Sequence, residues 1–281
     1  MTGHGISGGA LSVVNAVSTG FGVAYGISLS TKAEVRESDT VSLKINGVSA
    51  DSFFAEAIFF RFRESTGSEL SGAEISVVSE IPQSVGLKSS SAAANAIILA
   101  LADEVGLHLS YTDILRMGCI ASLDAGISIT GAYDDAAACL FGGAVFTDNH
   151  GMKMLKRVSL PDHLAAVIVI PSSGKALSTS FPKKRLDAVI SRSIFDAAYD
   201  GDIYGAICRN GELVSEALGI NDTVSAAAMS CGAAASGMSG TGPAVGILVE
   251  KSVLNEFLSA FRPQVSAKST ILCCDVRNGM L

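Results

Sequence analysis

Short apolar runs alternate with longer amphipathic segments along this chain, and turn residues separate them. Runs of β-branched and other apolar residues indicate strands, and apolar residues recurring at helical spacing indicate helices. The pattern predicts strands at 13–17, 22–29, 33–36, 41–45, 73–79, 140–146, 164–170, 244–249 and 270–276. Helices are predicted at 53–63, from the serine run near 89 to 105, from 110 to 123, and at 184–199, 203–218, 223–231 and 253–261.

Two glycine-containing stretches, 125–135 and 237–242, are predicted to be loops. The polar, turn-rich stretch 148–157 predicts a boundary between two domains, residues 1–155 and 156–281. A chain of 281 residues is long enough for one large or two moderate domains. The mixture of helices and strands predicts an α/β or α+β protein.

Charge and composition exclude several classes of partner. The chain carries 20 Lys and Arg against 27 Asp and Glu, and its formal net charge is −7. An acidic chain without a basic run is unsuited to general binding of nucleic acid or of an anionic membrane. The uncharged stretches 5–31 and 223–249 are interrupted by Ser and Gly, which indicates buried segments of a soluble protein and not membrane spans.

The six cysteines contain no Cys-x-x-Cys pattern, and the four histidines show no zinc-ligand spacing. Free, mostly buried thiols are typical of a reducing compartment, so we expect a cytoplasmic protein. The residues at 3–8 fit the pattern G-x-G-x-x-G, but only two residues precede them. A dinucleotide-binding turn requires a preceding strand, so this reading is rejected, and no Walker P-loop pattern is present.

The segment 82–95, with the sequence PQSVGLKSSSAAAN, carries the most informative chemistry. A loop that becomes a helix start exposes backbone N–H groups with partial positive charge, which suits a phosphate. Ser89, Ser90 and Ser91 add hydroxyl groups, and Lys88 adds a cation. The alternative is a serine-capped helix without a ligand. Small and apolar residues at helical spacing behind the serines indicate that the helix start is held firmly.

Two further segments are candidates for the same site. Asp134 and Asp135 are adjacent acids among apolar neighbours, where a carboxylate requires a cation or hydrogen-bond donors. Mg²⁺, a lysine or a substrate hydroxyl would meet that need, and the alternative is an acidic first turn of a helix. The segment 239–242, Ser-Gly-Thr-Gly, is a glycine-rich turn before a strand and is uninformative alone.

The chain resembles the GHMP kinase superfamily over nearly its whole length. Three features in this order carry the resemblance: a glycine-rich N-terminal region, the motif at 82–92 and the late Ser-Gly-Thr-Gly turn. Lys88, the run at 15–27 and the run at 131–143 resemble the archaeal shikimate kinase family within it. Many GHMP kinases have glycine where this chain has Lys88. The resemblance implies an α+β, two-domain fold, with an N-terminal α/β domain, a ferredoxin-like C-terminal domain and the nucleotide in the cleft between them.

The resemblance also implies ATP-dependent phosphorylation of shikimate to 3-phosphoshikimate, with Mg²⁺ as cofactor. It implies that residues 86–91 wrap the ATP phosphates and that Ser90 is the Mg²⁺ ligand, with Ser89 or Ser91 as alternatives. One of Asp134 and Asp135 is the catalytic acid or a metal-orienting residue: the spacing to residues 142–143 favours Asp135, and the pattern of another superfamily member favours Asp134. Lys88 assists on the γ-phosphoryl group or the substrate carboxylate. The full nucleotide-binding set is Pro82, Gln83, Ser84, Val85, Gly86, Leu87, Lys88, Ser89, Ser90, Ser91 and Ala92.

The residues expected to bind the substrate are Asn15, Ser239, Gly240, Thr241 and Gly242. A substrate carboxylate requires a cation, and the candidates are Lys32, Lys175, Arg192 and Arg277. Two alternatives remain open. One is another GHMP kinase for a small alcohol, of the homoserine or mevalonate type, and the other is a non-catalytic nucleotide-binding relative.

Overall fold

A long antiparallel pair of strands, β1 (Gly3–Val14) and β2 (Phe21–Ser38), forms the middle of the first sheet. The computed structural model describes residues 2–172 and 186–281. The prediction of several short strands here was wrong, because β1 begins ten residues earlier than predicted and β2 is continuous. The glycines of β1 hide the usual alternation of apolar and polar residues. Because most of β1 is buried, its sequence also does not need to alternate between apolar and polar residues.

The first sheet has seven strands, with β1 paired to β2 in the order β4-β3-β5-β2-β6-β7. Its other strands are β3 (Ser42–Ile45), β4 (Val48–Ala50), β5 (Gly72–Ser79), β6 (Ala144–Asp148) and β7 (Lys153–Val158). The helices of this part are α1 (Phe53–Thr66), α2 (Ser89–Glu104), α3 (Tyr111–Asp124) and α4 (Tyr133–Phe141). Residues 46 and 47 form the turn that joins β3 to β4, and both have positive φ.

Helix α2 packs directly on the backbone of β1, and two glycines make this possible. A Cβ added to Gly3 would lie 2.1 Å from the carbonyl oxygen of Ala100, and one added to Gly5 would lie 2.1 Å from that of Ala96. These glycines therefore let the helix approach the sheet closely. They lie in a strand and not in a turn, which confirms that the G-x-G-x-x-G match is not a dinucleotide fingerprint.

The second part of the chain forms a four-stranded antiparallel sheet in the order β11-β8-β10-β9. Its strands are β8 (Leu164–Ile170), β9 (Ala235–Met238), β10 (Val245–Glu250) and β11 (Thr270–Asp275), and its helices are α5 (Ala188–Tyr199), α6 (Ile203–Leu218), α7 (Thr223–Ser230) and α8 (Leu254–Phe261). Helices α5 to α7 separate β8 from β9, and α8 separates β10 from β11, which is the ferredoxin-like βαββαβ arrangement. The α+β prediction with a ferredoxin-like second part is confirmed.

Several predicted boundaries differ from the structure. The predicted loop at 125–135 ends early, since α4 begins at Tyr133, and the strand predicted at 140–146 begins at Ala144. Residues 237 and 238 belong to β9 and not to a loop. Helix α5 begins at Ala188, because the Asp187 side chain caps it, and residues 184 and 185 lie outside the described part.

The predicted domain border between residues 155 and 156 falls inside β7, which pairs with β6 of the first sheet. The division into two domains at that point stays a prediction. No helix in residues 2–172 or 186–281 combines the length and apolar character needed to cross a membrane.

Candidate active site

A cleft of about 260 Å³ opens where the starts of α2 and α4 meet the loop that follows β9. It brings together eleven of the predicted site residues, which are Asn15, Ser84, Gly86, Lys88, Ser89, Ser90, Ser91, Asp134, Asp135, Gly240 and Thr241. The remaining lining residues are Ser12, Ala16, Val17, Ser122, Ile127, Ser128, Ile129, Thr130 and Ala132. Four segments far apart in sequence, 12–17, 84–91, 122–135 and 240–241, therefore converge on one cavity.

The amino-terminal turn of α2 faces this cleft. The first backbone hydrogen bond of the helix runs from the amide of Ala92 to the carbonyl of Lys88, at 3.0 Å. The amides of Ser89, Ser90 and Ser91 come before that bond, so helix geometry leaves them without a partner inside the helix. Their partial positive charge and the serine hydroxyls can bind an anion such as a phosphate.

Other residues of the predicted nucleotide loop anchor it and do not line the cleft. Leu87 and Ala92 are fully buried in the hydrophobic core, and the half-buried Val85 packs against it. The carbonyl of Val85 also accepts a hydrogen bond from the amide of Ala244 at 3.0 Å. Pro82 and Gln83 lie outside the cleft lining. The roles of all five toward a nucleotide stay predictions.

Lys88 and Asp135 form an ion pair on the cleft wall, with 2.9 Å between Nζ and Oδ1. Their side chains are 8% and 16% exposed, so water screens the pair only weakly. Burial alone would lower the pKa of Lys88, but the carboxylates of Asp135 and Asp134 outweigh it and raise the pKa above the ordinary lysine value. Lys88 is therefore an ammonium group throughout the neutral range.

Asp134 lies beside this pair and is almost fully buried, at 5% exposed. Its Oδ1 accepts a hydrogen bond from Nδ2 of Asn149 at 2.8 Å, and its backbone amide donates to Oδ1 of Asn149 at 3.1 Å. Burial, and then repulsion by Asp135, raise the pKa of Asp134 to about 7, against the opposing effect of Lys88. Both acids occupy the first turn of α4, so the helix-start alternative describes their location correctly.

Ser239 joins two loops beneath the cleft wall. Its hydroxyl donates to the carbonyl of Gly86 at 2.7 Å and accepts from the amide of Ser12 at 3.1 Å. Ser239 is only 1% exposed. The Ser12 hydroxyl in turn accepts from the amide of Gly240 at 2.9 Å. Ser239 and Gly242 are absent from the cleft lining, whereas Gly240 and Thr241 belong to it.

The candidate partners of a substrate carboxylate lie elsewhere or outside the described residues. Arg277 is buried, and its guanidinium donates to carbonyls at the other end of α4, including those of Ala138 at 3.0 Å and Cys139 at 2.7 Å. Arg192 pairs with Asp196 at 2.9 Å on the surface of α5. Lys32 is exposed on β2, and Lys175 lies outside the described part.

Sequence reasoning missed Asn149 and the cleft wall formed by Ile127–Thr130. No motif marks either of them, because only the fold brings them to the two acids. The backbone conformation marks the cleft in the structure, although the sequence does not show it. Of the five non-glycine residues with positive φ in the described part, three line the cleft, namely Ser84, Lys88 and Ala132. Such conformations cost energy and tend to occur at functional sites.

The chain is similar to several known proteins. The family model described as the GHMP kinases N terminal domain matches residues 52–143. A shikimate kinase of Methanothrix thermoacetophila is 38% identical over 255 residues, covering 89% of this chain and 86% of that protein. A shikimate kinase of Thermococcus kodakarensis is 40% identical over 243 residues, covering 84% of this chain and 88% of that protein.

Solved structures show the same fold at lower sequence identity. The structure of Lactococcus lactis galactokinase complexed with galactose superposes with a TM-score of 0.78 at 17% identity, covering 100% of this chain and 95% of that chain. The family model and the relatives together show that the chain is a kinase of the GHMP superfamily, and its fold agrees with that assignment. Within that superfamily, the chain belongs to the family of the archaeal shikimate kinases.

Proposed function

We propose that this chain transfers the γ-phosphoryl group of ATP to a hydroxyl group of shikimate and so forms 3-phosphoshikimate. The observation that carries the proposal is the Lys88–Asp135 ion pair, which lies in the cleft beside the amino end of α2. One structural unit thereby combines an anion-binding helix start, a cation and a carboxylate. Membership in the shikimate kinase family supports shikimate as the acceptor.

The triphosphate is assigned to the α2 end of the cleft. Phosphoryl transfer requires alignment of the reacting groups and neutralisation of charge more than covalent catalysis by the protein. The amides of residues 89–91 supply hydrogen bonds to phosphate oxygens, and the Lys88 ammonium supplies a full positive charge. The close packing of α2 on Gly3 and Gly5 holds these donors in place.

Asp135 is assigned as the group that accepts the proton of the acceptor hydroxyl. The hydroxyl oxygen forms a bond to the γ-phosphorus, the bond from that phosphorus to the β–γ bridging oxygen breaks, and ADP leaves. The hydroxyl proton passes to the Asp135 carboxylate. Asp135 suits this role better than Asp134, because Asp134 is more deeply buried and is held by Asn149. The Asp135 carboxylate also lies 2.9 Å from the Lys88 ammonium, beside the start of α2.

The donors in the cleft also fit Mg²⁺. Ser90 is exposed at the first turn of α2, and Ser89, Ser90 and Ser91 line the cleft there with hydroxyl oxygens, the kind of donor that Mg²⁺ prefers. No cluster of three or more His, Cys, Asp or Glu side chains suited to a metal occurs in the described residues, so the protein would supply few of the ligands. We assign Ser90 as the protein ligand. Bound Mg²⁺ would neutralise charge on the phosphates.

A cytoplasmic location is part of the proposal. All six cysteines are free thiols in the structure, and two of them, Cys119 and Cys139, are buried. Unpaired cysteines in this number are typical of proteins in a reducing compartment.

The proposal is tested by measuring ADP release in a coupled assay with shikimate, homoserine and mevalonate as acceptors. We expect shikimate to give the highest kcat/KM. Higher turnover of another alcohol would assign a different GHMP kinase activity. Binding of ATP without release of ADP in the presence of any of these acceptors would contradict the kinase assignment.

The catalytic role is tested with Asp135→Ala, for which we expect kcat to fall by about 100-fold or more, the scale of general base catalysis. Asp113→Ala is the matched control, because Asp113 also lies in the first turn of a helix but outside the cleft. Turnover by a folded Asp135→Ala variant at the rate of the unaltered enzyme would remove Asp135 from the mechanism.

A further inference from the structure

The side-chain amide of Asn149 uses its full hydrogen-bonding capacity in a buried position. Asn149 is 1% exposed. Its Oδ1 accepts from the amide of Asp134 at 3.1 Å and from the hydroxyl of Thr147 at 2.7 Å. Its Nδ2 donates to Oδ1 of Asp134 at 2.8 Å and to the hydroxyl of Thr130 at 3.3 Å. Two acceptor sites and two donors are all that an asparagine amide offers.

The backbone of Asn149 is itself fixed. The residue directly follows β6, and its amide donates to the carbonyl of Gly20 at 2.8 Å. Asn149 is therefore anchored to the first sheet. Its side-chain amide holds Asp134, Thr147 and Thr130 in position relative to that sheet.

Helix α4 depends on this contact at its start. Its N-cap residue, Ala132, has a left-handed backbone (φ 54°, ψ 46°) and provides no side-chain cap. The Oδ1 atom of Asn149 accepts from the Asp134 amide and so replaces the missing cap from another element. Asp135 is the next residue, and its direction toward Lys88 follows from the orientation of this first turn.

Asp134 has little room to move on its other side. A Cβ added to Gly22 would lie 2.3 Å from Oδ2 of Asp134, so this carboxylate packs against bare backbone. The Asn149 amide and Gly22 thus enclose the Asp134 carboxylate. The same amide also holds Thr130, which lines the cleft.

We propose that Asn149 is a positioning residue for phosphoryl transfer, which holds the first turn of α4 so that Asp135 meets Lys88 and the acceptor hydroxyl. This inference rests on the proposed function. Asn149 does not line the cleft, and its effect passes through Asp134 and Thr130.

The first test is Asn149→Ala, assayed for ADP release with the acceptor that the unaltered enzyme turns over best. We expect kcat to fall by about 100-fold, since displacement of a catalytic group by about 1 Å has an effect of that size. We expect the KM for ATP to change by less than about threefold, because the α2 amides remain in place. A parallel fall of kcat and rise of KM for ATP would contradict a positioning role.

The second test is Asn149→Asp, which keeps the shape of the side chain. When the introduced carboxyl is protonated, its O–H donates to Oδ1 of Asp134 as the amide does. When it is ionised, it repels that carboxylate. The activity of this variant relative to the unaltered enzyme is therefore expected to fall as pH rises, whereas the ratio for Asn149→Ala is expected to stay constant. Charged and titratable groups near this position are Asp134, Asp135, Lys88, Cys119, Asp148 and His150.

Asn278→Ala is the matched control, because the Asn278 side chain also makes several hydrogen bonds, with Leu160 and Asp162, outside the cleft. We expect it to lower stability without lowering kcat. If Asn149→Ala does not fold, the pH dependence of Asn149→Asp decides alone. Unchanged kcat and a flat pH ratio would overturn the positioning role, whereas a lack of turnover by the unaltered enzyme would overturn the proposed function instead.

Discussion

Gly86 offers a sharp test of how the nucleotide loop is built. Its backbone has φ +92°, and a Cβ at this position would lie 2.3 Å from the carbonyl oxygen of Ser239. Cβ atoms in real proteins essentially never approach another heavy atom within 3.0 Å. Gly86→Ala therefore forces the nucleotide loop and the loop at 239–242 apart by about 0.7 Å, the difference between the two distances.

Two effects determine the size of the change. A positive φ costs an alanine about 1–2 kcal/mol, and overpacking at a tight contact costs about 1–3 kcal/mol. Added together, they lower the expected free energy of unfolding by about 2–5 kcal/mol. The hydrogen bond from the Ser239 hydroxyl to the Gly86 carbonyl would also lengthen. Because the donors at the start of α2 follow this loop, we expect kcat/KM for ATP to fall by about 10- to 100-fold.

Gly106→Ala separates the two effects. Gly106 also has positive φ (+66°), but a Cβ added there meets no described atom within 4 Å. We expect this control to lose about 1 kcal/mol of stability and to keep its kinetic constants. Denaturant unfolding and ADP-release kinetics measure both variants. If Gly86→Ala matched Gly106→Ala in stability and in kcat/KM for ATP, the contact between the two loops would not matter and the reasoning would be refuted.

Two other predictions concern ionisable groups at the two ends of α4. Arg277→Met is expected to lower the free energy of unfolding by about 3 kcal/mol, because the carbonyls of Ala138 and Cys139 lose a buried cationic donor. The KM for shikimate is expected to stay unchanged. A higher KM at unaltered stability would instead make Arg277 a substrate ligand. The raised pKa of Asp134, about 7, means that the folded protein keeps a proton which the unfolded chain loses near pH 4. The unaltered protein is therefore expected to lose stability relative to Asp134→Asn as pH rises from 4 to 7. Urea unfolding of both proteins over this pH range measures the difference. A difference in stability that changed with pH in the opposite direction would show that Asp134 is ionised and stabilised by Lys88.

The sequence was most informative where local signals and packing agree. Helix α6 was predicted with its observed bounds, because Asp202 caps its start, Gly219 ends it in a left-handed conformation and apolar residues repeat along one face. The start of α2 was found from the serine run and the small residues behind it, although its N-cap, Lys88, is left-handed and provides no side-chain cap. The start of α3 at 110–111 was also found, and there the Ser110 hydroxyl caps the helix by accepting from the Asp113 amide.

Other features could not be found from the sequence alone. The start of α4 has no local capping signal, because its cap comes from Asn149 of another element. Lys88 and Asp135 are joined only by the packing of α2 beside α4, so their ion pair is a property of the fold. The sequence identified both side chains as candidate site residues. It could not show that they are in contact, or that Arg277 lies at the other end of α4.

The backbone of the cleft has a consequence for engineering. Ser84, Lys88 and Ala132 hold left-handed conformations that glycine would adopt at lower cost. The chain thus accepts a less stable backbone around the cleft to which we assign its ligands. Selection for heat resistance alone would favour glycine at these three positions, and at position 88 it would discard the ammonium group along with the strain.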